Sequence, residues 1–234
     1  MLTIHRGRAV RRLPGGDPAA GDAVAVDGDR IAAVGPYEEL LAQYGARARV
    51  REWAGEITPG RHAPDARAWL EAAYHPDPRE ADRLGTEPLT GEALTALGLT
   101  DSGWGASARR GLQRLLAAGT TSLTGPFTRP PVRTAVTRSG LRVHPPGAPA
   151  QPLPLAPGAR ADFAVFAVPG PGGAGVPGAG VPGAGTPGPG GTSRPDTPRP
   201  GISGPDAPGP DAPGGEPARC LATVIAGRLV HRRA

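Results

Sequence analysis

The histidines are the residues of this sequence best suited to bind a metal ion. They lie at positions 5, 62, 75, 144 and 231, with no His-x-His pair and no two histidines four residues apart. A three-ligand zinc site can be drawn from His62, His75 and Asp77, because His75-Pro-Asp77 is a compact turn. The competing interpretation is that these are exposed polar residues around proline-rich turns, and we prefer it because histidines outside a recognisable motif are ordinarily structural.

Residues that could act as nucleophiles have no partner in the sequence. No serine occupies a Gly-x-Ser-x-Gly elbow. Cys220, the single cysteine, has no histidine suitably placed beside it. It excludes an intramolecular disulfide and fits a reducing cytoplasm, and we expect it to be buried near the start of a strand. The sequence therefore indicates no nucleophilic site.

The first 60 residues show the pattern of β-strands. Residues 23–35 predict a hairpin, since two Val/Ile-rich runs flank Asp27-Gly28, a dipeptide that favours a tight turn. Pro36 opens a short helix predicted over 37–44, and Gly45 ends it. A strand is predicted over 48–53.

The next hundred residues are mainly helical in pattern. Residues 102–118 predict the strongest helix, with leucines on one side and arginines on the other. A strand at 120–124 and a short helix at 132–138 follow it. Candidates for exposed aromatic side chains that bind a partner in this region are Trp69, Tyr74 and Trp104, and the alternative for each, which is the commoner case, is a place in the core.

The C-terminal third consists of strands separated by a spacer. Strands are predicted over 161–168 and, with a glycine-marked turn, over 222–231. Residues 169–217 are almost entirely Gly, Pro, Ala, Ser, Thr and Asp, and Val-Pro-Gly-Ala-Gly occurs at 176–180 and again at 181–185. Such a composition buries too little apolar surface to offset the entropy lost on ordering, so we predict a disordered insertion.

The net charge of +5 raises the question of nucleic-acid binding. All 26 basic residues are arginines, which is typical of a GC-rich genome, and they are scattered along the chain. Dispersed arginines are ordinarily solvated surface residues, so the charge alone favours nucleic-acid binding only weakly. No run approaches the roughly 20 apolar residues of a membrane helix, and we expect a cytoplasmic protein.

Three segments, taken in order, resemble the metal-dependent amidohydrolases of the imidazolonepropionase and aminodeoxyfutalosine deaminase type. They are Asp27-Gly-Asp-Arg-Ile-Ala-Ala-Val-Gly35 with Ile57-Thr-Pro-Gly60, Leu112 to Thr121, and Leu155-Ala-Pro-Gly-Ala-Arg-Ala-Asp162 with Thr223 to Val230. The resemblance covers about half of the chain. It implies a composite β domain formed by the two ends of the chain, beside a TIM-like barrel.

The same resemblance identifies what this chain lacks. In the family, Pro-Gly is followed by a metal-binding His-x-His pair, and counting from Gly60 those positions fall on Asp65 and Arg67. Arginine has only hydrogen-bond donors and cannot bind a cation. A full barrel needs about 250 residues, whereas little more than thirty separate Thr121 from Leu155.

These observations predict an α+β fold. A β-sandwich-like composite domain comprises residues 1–60, 155–168 and 218–234. A reduced helical remnant of the barrel occupies 61–154, and the insertion occupies 169–217. We expect no catalytic residues and no cofactor.

The leading hypothesis is a catalytically inactive, amidohydrolase-related protein with a binding or regulatory role toward a protein partner. The alternative is a metal-dependent hydrolase of non-peptide carbon–nitrogen bonds in amidines or cyclic amides. That activity would require zinc at a relocated site of His62, His75 and Asp77, or a site completed by a partner subunit. A third hypothesis, nucleic-acid association, rests on charge alone. The sequence identifies neither the partner nor the oligomeric state.

Overall fold

The structure is a computed structural model that describes residues 1–19, 21–148, 152–168 and 218–233. The insertion predicted over 169–217 lies outside the described residues. The strands are β1 (Leu2–Arg6), β2 (Ala9–Val10), β3 (Ala23–Asp27), β4 (Arg30–Gly35), β5 (Arg49–Glu52), β6 (Gly55–Thr58), β7 (Arg61–Ala63), β8 (Thr120–Thr124), β9 (Arg142–His144), β10 (Phe163–Ala167), β11 (Cys220–Ile225) and β12 (Arg228–Arg232). The α-helices are α1 (Tyr37–Tyr44), α2 (Ala66–Glu71), α3 (Ala81–Leu84), α4 (Gly91–Ala96), α5 (Asp101–Ala117) and α6 (Pro130–Ser139).

The first sheet is built from the N-terminal segment, in the order β4-β3-β1-β5. Its β3–β4 hairpin confirms the predicted turn, and Gly28 takes a φ of 59° there, a conformation that suits glycine. The predicted helix over 37–44 is also confirmed as α1.

The second sheet joins both ends of the chain in the order β12-β11-β10-β6-β2. β6 and β10 are antiparallel, with Val165 opposite Ile57, and β10 pairs in turn with β11. One core cluster contains side chains of both sheets, among them Val24 and Ile31 from the first and Ile57, Phe163 and Val224 from the second. Burial of this shared cluster holds the two sheets against each other.

The third sheet consists of three parallel strands, β7-β8-β9. Leu123 of β8 packs into a second core cluster with Leu70 of α2, Leu112 of α5 and Val136 of α6. The region predicted as a helical remnant therefore also contains a parallel sheet. The sequence pattern predicts β8 but not its pairing, because parallel pairing joins residues distant in sequence and leaves no local pattern.

The molecule is thus a mixed α+β protein with several sheets, and its described residues form no closed barrel. Cys220 is buried at the first position of β11, as predicted. In the part of the chain that the structure describes, no helix is both long enough and apolar enough to span a membrane.

Candidate functional site

A polar cluster lies at the carboxyl ends of the three parallel strands. His62 of β7 is opposite Ser122 of β8, and Thr124 of β8 is opposite His144 of β9. Because alternate residues of a strand point to opposite faces, these four side chains share one face of the sheet. Leu123 points the other way, into the helix-covered core.

The His62 ring is held between two hydroxyl groups. Its Nδ1 lies 2.9 Å from Ser122 Oγ, and its Nε2 lies 2.9 Å from Thr124 Oγ1. A neutral imidazole donates from one nitrogen and accepts at the other, so one hydroxyl accepts a hydrogen bond and the other donates one. Burial, and after it the neighbouring His144, lowers the pKa of His62 below its ordinary value. The ring is therefore neutral at pH 7.

His144 completes the cluster from the third strand. Its ring lies edge-on to that of His62, with the ring centroids 5.5 Å apart. The Nε2 atom of His144 is buried and has no hydrogen-bond partner among the described residues. An unpaired buried polar atom costs free energy, so this nitrogen could accept a ligand.

The surrounding elements bring these strands together. The hydroxyl of Thr100 caps α5 by accepting a hydrogen bond from the backbone N–H of Gly103. At the other end of α5, Gly119 turns the chain into β8 with a φ of 84°. A Cβ at Gly119 would lie 2.5 Å from the ring of Phe166, so this turn requires glycine.

The other two residues of the sequence-derived zinc site do not join His62. His75 is buried, and its Nε2 lies 2.8 Å from the backbone oxygen of Trp69. Asp77 caps a short 3-10 helix, Pro78–Glu80, by accepting from Arg79 N. Within the described ranges, no three His, Cys, Asp or Glu side chains form a group that could hold a metal ion.

The two residues at the positions that the resemblance assigns to metal ligands, Asp65 and Arg67, have other roles in this structure. Asp65 is exposed and immediately precedes α2. Arg67 Nε lies 3.3 Å from Glu71 Oε2, within the same helix. A permanently charged guanidinium engaged in an ion pair supplies no lone pair to a cation. These residues therefore do not fit the metal ion that the resemblance implies.

Glu71 is a functional candidate that sequence reasoning missed, and it anchors the loop after β8. Its carboxylate accepts hydrogen bonds from Thr128 N at 2.6 Å, Thr128 Oγ1 at 2.9 Å and Arg129 N at 2.7 Å. Burial alone would raise the pKa of Glu71, but these bonds and the one from Arg67 lower it below its ordinary value. Glu71 is therefore ionised and fully engaged at neutral pH.

A shallow groove of about 600 Å³ lies beside this anchor, lined by Arg67, Ala68, Glu71, Ala72, Thr128, Arg129 and Pro130. The Arg129 guanidinium stacks over the ring of Trp104, 3.9 Å from its centroid. Of the three candidate aromatic residues, Tyr74 and Trp104 are core residues and not exposed ones, since each is only 7% exposed. Trp69 is partly buried and packs against the helical core. In a chain with few aromatic residues, these large side chains are needed in the core.

Three members of the polar cluster, Ser122, Thr124 and His144, were not anticipated from the sequence. Ser122 and Thr124 stand two residues apart in the predicted strand, which signals a shared face. His144 lies beyond the helix predicted over 132–138, and only the register of β8 with β9 brings it beside His62. No local pattern records that register.

One family model matches the chain. Residues 23–46, which cover the β3–β4 hairpin and α1, match the model for the imidazolonepropionase-like composite domain of bacteria. This match confirms the predicted resemblance over that segment. No curated protein is significantly similar to the chain in sequence.

Several solved structures are similar to parts of this one. Ochratoxinase from A. niger is 18% identical, with a TM-score of 0.42, over 63% of this chain and 32% of that protein. Guanine deaminase from E. coli is 16% identical, with a TM-score of 0.41, over 62% of this chain and 36% of that protein. An adenosine deaminase from Xanthomonas campestris with bound zinc is 15% identical, with a TM-score of 0.41, over 60% of this chain and 32% of that protein. This chain thus spans about a third of the length of each.

Proposed function

We propose that this chain, which carries an amidohydrolase-like composite domain, is a non-catalytic relative with a binding or regulatory role toward a protein partner. The observation that carries the proposal is the state of Asp65 and Arg67. Both belong to the start of α2 rather than to a strand end, and Arg67 Nε lies 3.3 Å from Glu71 Oε2, while the rest of the guanidinium faces the groove. A fold acts through its site, and at one of these two positions Arg67 forms an ion pair with Glu71 instead of supplying a metal ligand.

The groove beside Glu71 is the surface we assign to binding. Glu71 lies at its floor with the carboxylate satisfied by four donors, so it presents no unpaired acceptor to a ligand. Arg67 has a side chain 60% exposed, and Arg129 lines the same groove. Two guanidinium groups beside one neutralised carboxylate favour an acidic group on the partner.

The absence of catalysis is tested by assaying ammonia release from amidines and, because ring opening of a cyclic amide releases no ammonia, by following ring opening of cyclic amides with mass spectrometry. Tag-free protein is incubated with amidines and cyclic amides, with and without added zinc, manganese or iron(II). We expect no turnover above the protein-free reaction. Metal-dependent turnover that co-purifies with the protein would overturn the proposal.

The binding role is tested with two variants that each remove one arginine charge, one inside the groove and one outside it as a control. Partners cross-linked to the chain in its native cells are identified by mass spectrometry, and their affinities are then measured with purified components. Arg67→Ala should weaken a true partner at least tenfold, whereas Arg47→Ala, an exposed arginine outside the groove, should not. Equal affinities for the two variants would place binding elsewhere and contradict the assignment of the groove.

A second candidate function is metal-dependent hydrolysis of non-peptide carbon–nitrogen bonds at a relocated or partner-completed site. It is favoured by the cluster of His62, Ser122, Thr124 and His144 at the carboxyl ends of parallel strands, where active sites of α/β barrels commonly lie. Turnover in the assay above that His62→Gln abolishes would select this function. Turnover that survives His62→Gln would exclude a site built on His62.

A further inference from the structure

Two imidazoles and two hydroxyls lie close together on one face of the β7-β8-β9 sheet. His62 Nε2 contacts Thr124 Oγ1 at 2.9 Å, and His144 is the cross-strand partner of Thr124. The two rings therefore approach each other over Thr124, from the strands on either side of β8. We propose that His62 and His144 together bind one divalent transition-metal ion of the class that prefers imidazole, namely zinc, cobalt, nickel or copper.

The separation of the two rings fits a shared ion. Imidazole nitrogens bind zinc at about 2.0–2.1 Å, so two imidazoles at roughly tetrahedral angles on one ion have ring centres about 5 Å apart. The observed distance between the centroids is 5.5 Å. The rings are also nearly perpendicular, with an interplanar angle of 81°, so they are not stacked in a way that would exclude an ion.

Ser122 provides the orientation that a histidine ligand needs. A metal-binding histidine ordinarily donates its second ring N–H to a fixed acceptor, which sets the tautomer and holds the ring. His62 Nδ1 lies 2.9 Å from Ser122 Oγ, and Ser122 is only 2% exposed. With Nδ1–H donating to Ser122, the lone pair of His62 is on Nε2, the atom that lies beside Thr124.

The unpaired nitrogen of His144 is the second, independent observation. His144 Nε2 is buried and lacks a partner among the described residues. An ion held between the two rings would satisfy this atom and would replace the 2.9 Å hydrogen bond between His62 Nε2 and the Thr124 hydroxyl. The Thr124 hydroxyl and water complete the coordination, since the protein supplies only two strong donors.

The charges around the cluster tolerate such an ion. Arg142 lies two residues before His144 and is the cationic side chain on the same face of β9. Its guanidinium lies 3.6 Å from Asp162 Oδ2, a carboxylate oxygen that also lies 3.3 Å from Arg160, so the charge of Arg142 is offset only in part. Imidazole is neutral when it binds a metal, and zinc, cobalt, nickel and copper are the ions for which it is best suited.

This inference is independent of the proposed non-catalytic function. Metal binding without turnover agrees with both, whereas metal binding with turnover supports the site and overturns the function. Failure to bind metal refutes the site and leaves the function untouched.

The test is titration of chelator-treated, tag-free full-length chain with zinc by calorimetry and with cobalt by visible absorption. We expect one ion per chain and cobalt bands typical of nitrogen ligation. His62→Gln and His144→Gln should each weaken binding at least tenfold, while His231→Gln, a histidine on β12, should leave it unchanged. Ser122→Ala keeps both imidazoles and should weaken binding by about 10–100-fold.

The outcomes separate a built site from adventitious binding. No binding at one equivalent, or binding that both His62→Gln and His144→Gln retain, would refute the proposal. Circular dichroism verifies that each variant is folded. The ¹⁵N chemical shifts of the imidazoles in the unmodified chain provide a test that needs no variant. Zinc should move the signals of His62 and His144 and leave those of His231 unchanged. Movement of the His231 signals with no change at His62 and His144 would also refute the proposal.

Discussion

At the scale of single residues, Glu71 has a structural role that no sequence motif predicts. It ties α2 to the loop that leads into α6 through hydrogen bonds to Thr128 and Arg129. A carboxylate in this role is not visible in the sequence, because its donors are more than fifty residues away. The histidines and Cys220 are easily identified in the sequence as possible ligands or nucleophiles, but the sequence does not show what role they have.

Removing the Glu71 carboxylate should therefore destabilise the protein. Glu71→Ala leaves two backbone N–H groups without their acceptor, and bonds to charged groups contribute about 1.5–3 kcal/mol each. We expect a loss of roughly 2–3 kcal/mol in the free energy of unfolding, measured by urea denaturation at pH 7. Glu92→Ala, at an exposed position of α4, is the control and should change it by less than about 0.5 kcal/mol. Equal effects would show that Glu71 is no anchor.

The buried His5 makes stability depend on pH. Burial, and secondarily the charge of Arg51, lowers its pKa from 6.5 to about 4. The unfolded chain therefore binds a proton that the folded chain does not, and this contribution to stability is complete above pH 6.5 and is lost as the pH falls toward 4. The pKa difference corresponds to a loss on the order of 3 kcal/mol.

Urea denaturation between pH 7.5 and pH 4.5 measures this dependence. His62, His75 and His231 also have lowered pKa values, so they add to the slope in the same direction. His5→Gln cannot gain a charge and should flatten the curve, although it also weakens the contact with Trp53 Nε1. A slope identical to that of the unmodified chain would rule out His5 as its main source.

At the scale of elements, the sequence predicts most of what is local. The β3–β4 hairpin, α1, α5 and β8 follow from turn residues, caps and periodicity, and they appear where those signals place them. The short strand β7 was missed, because three residues carry no usable period. The register that places His62 beside His144 was missed for a different reason: it joins residues 82 positions apart.

Helix α5 offers a matched pair of glycines in one element. A Cβ at Gly111 would lie 2.6 Å from His75 Nε2 and 2.9 Å from Leu70 Cδ2. At Gly105 the nearest atom would be Pro131 Cβ at 3.5 Å, an ordinary contact. Alanine is the better helix former at both positions by about 1 kcal/mol. The packing around each position therefore decides whether the substitution stabilises or destabilises the protein.

Gly111→Ala should destabilise the protein by about 1–3 kcal/mol through overpacking, while Gly105→Ala should be neutral or stabilising by up to about 1 kcal/mol. Thermal unfolding of both variants under identical conditions gives the comparison. If Gly111→Ala were as stable as Gly105→Ala, the close packing of α5 against His75 would be wrong.

At the scale of the whole molecule, the pairing of β10 with β11 bears on the long segment between them. Phe166 is opposite Cys220, and Ala167 N donates to Arg219 O. The strands that flank residues 169–217 are thus already adjacent, and a short turn is enough to join them.

We expect replacement of residues 169–217 by a short glycine-containing turn to change the melting temperature by only a few degrees. Loop-closure entropy varies slowly with length, so a shorter loop should be slightly favourable. Differential scanning calorimetry measures the change. A collapse of the melting temperature would show that the segment contributes to the folded core.

The sheet order β12-β11-β10-β6-β2 also has a consequence for synthesis on the ribosome. β2 and β6 are complete once residue 58 has been made, but their partner β10 begins at Phe163 and β11 ends at Ile225. At ordinary translation rates the intervening stretch takes on the order of 10–30 s. For that time the apolar side chains of Val10 and Ile57 have no completed sheet to cover them. The yield of folded protein should therefore depend on how fast ribosomes traverse residues 59–225, and on the chaperones that shield the nascent chain meanwhile.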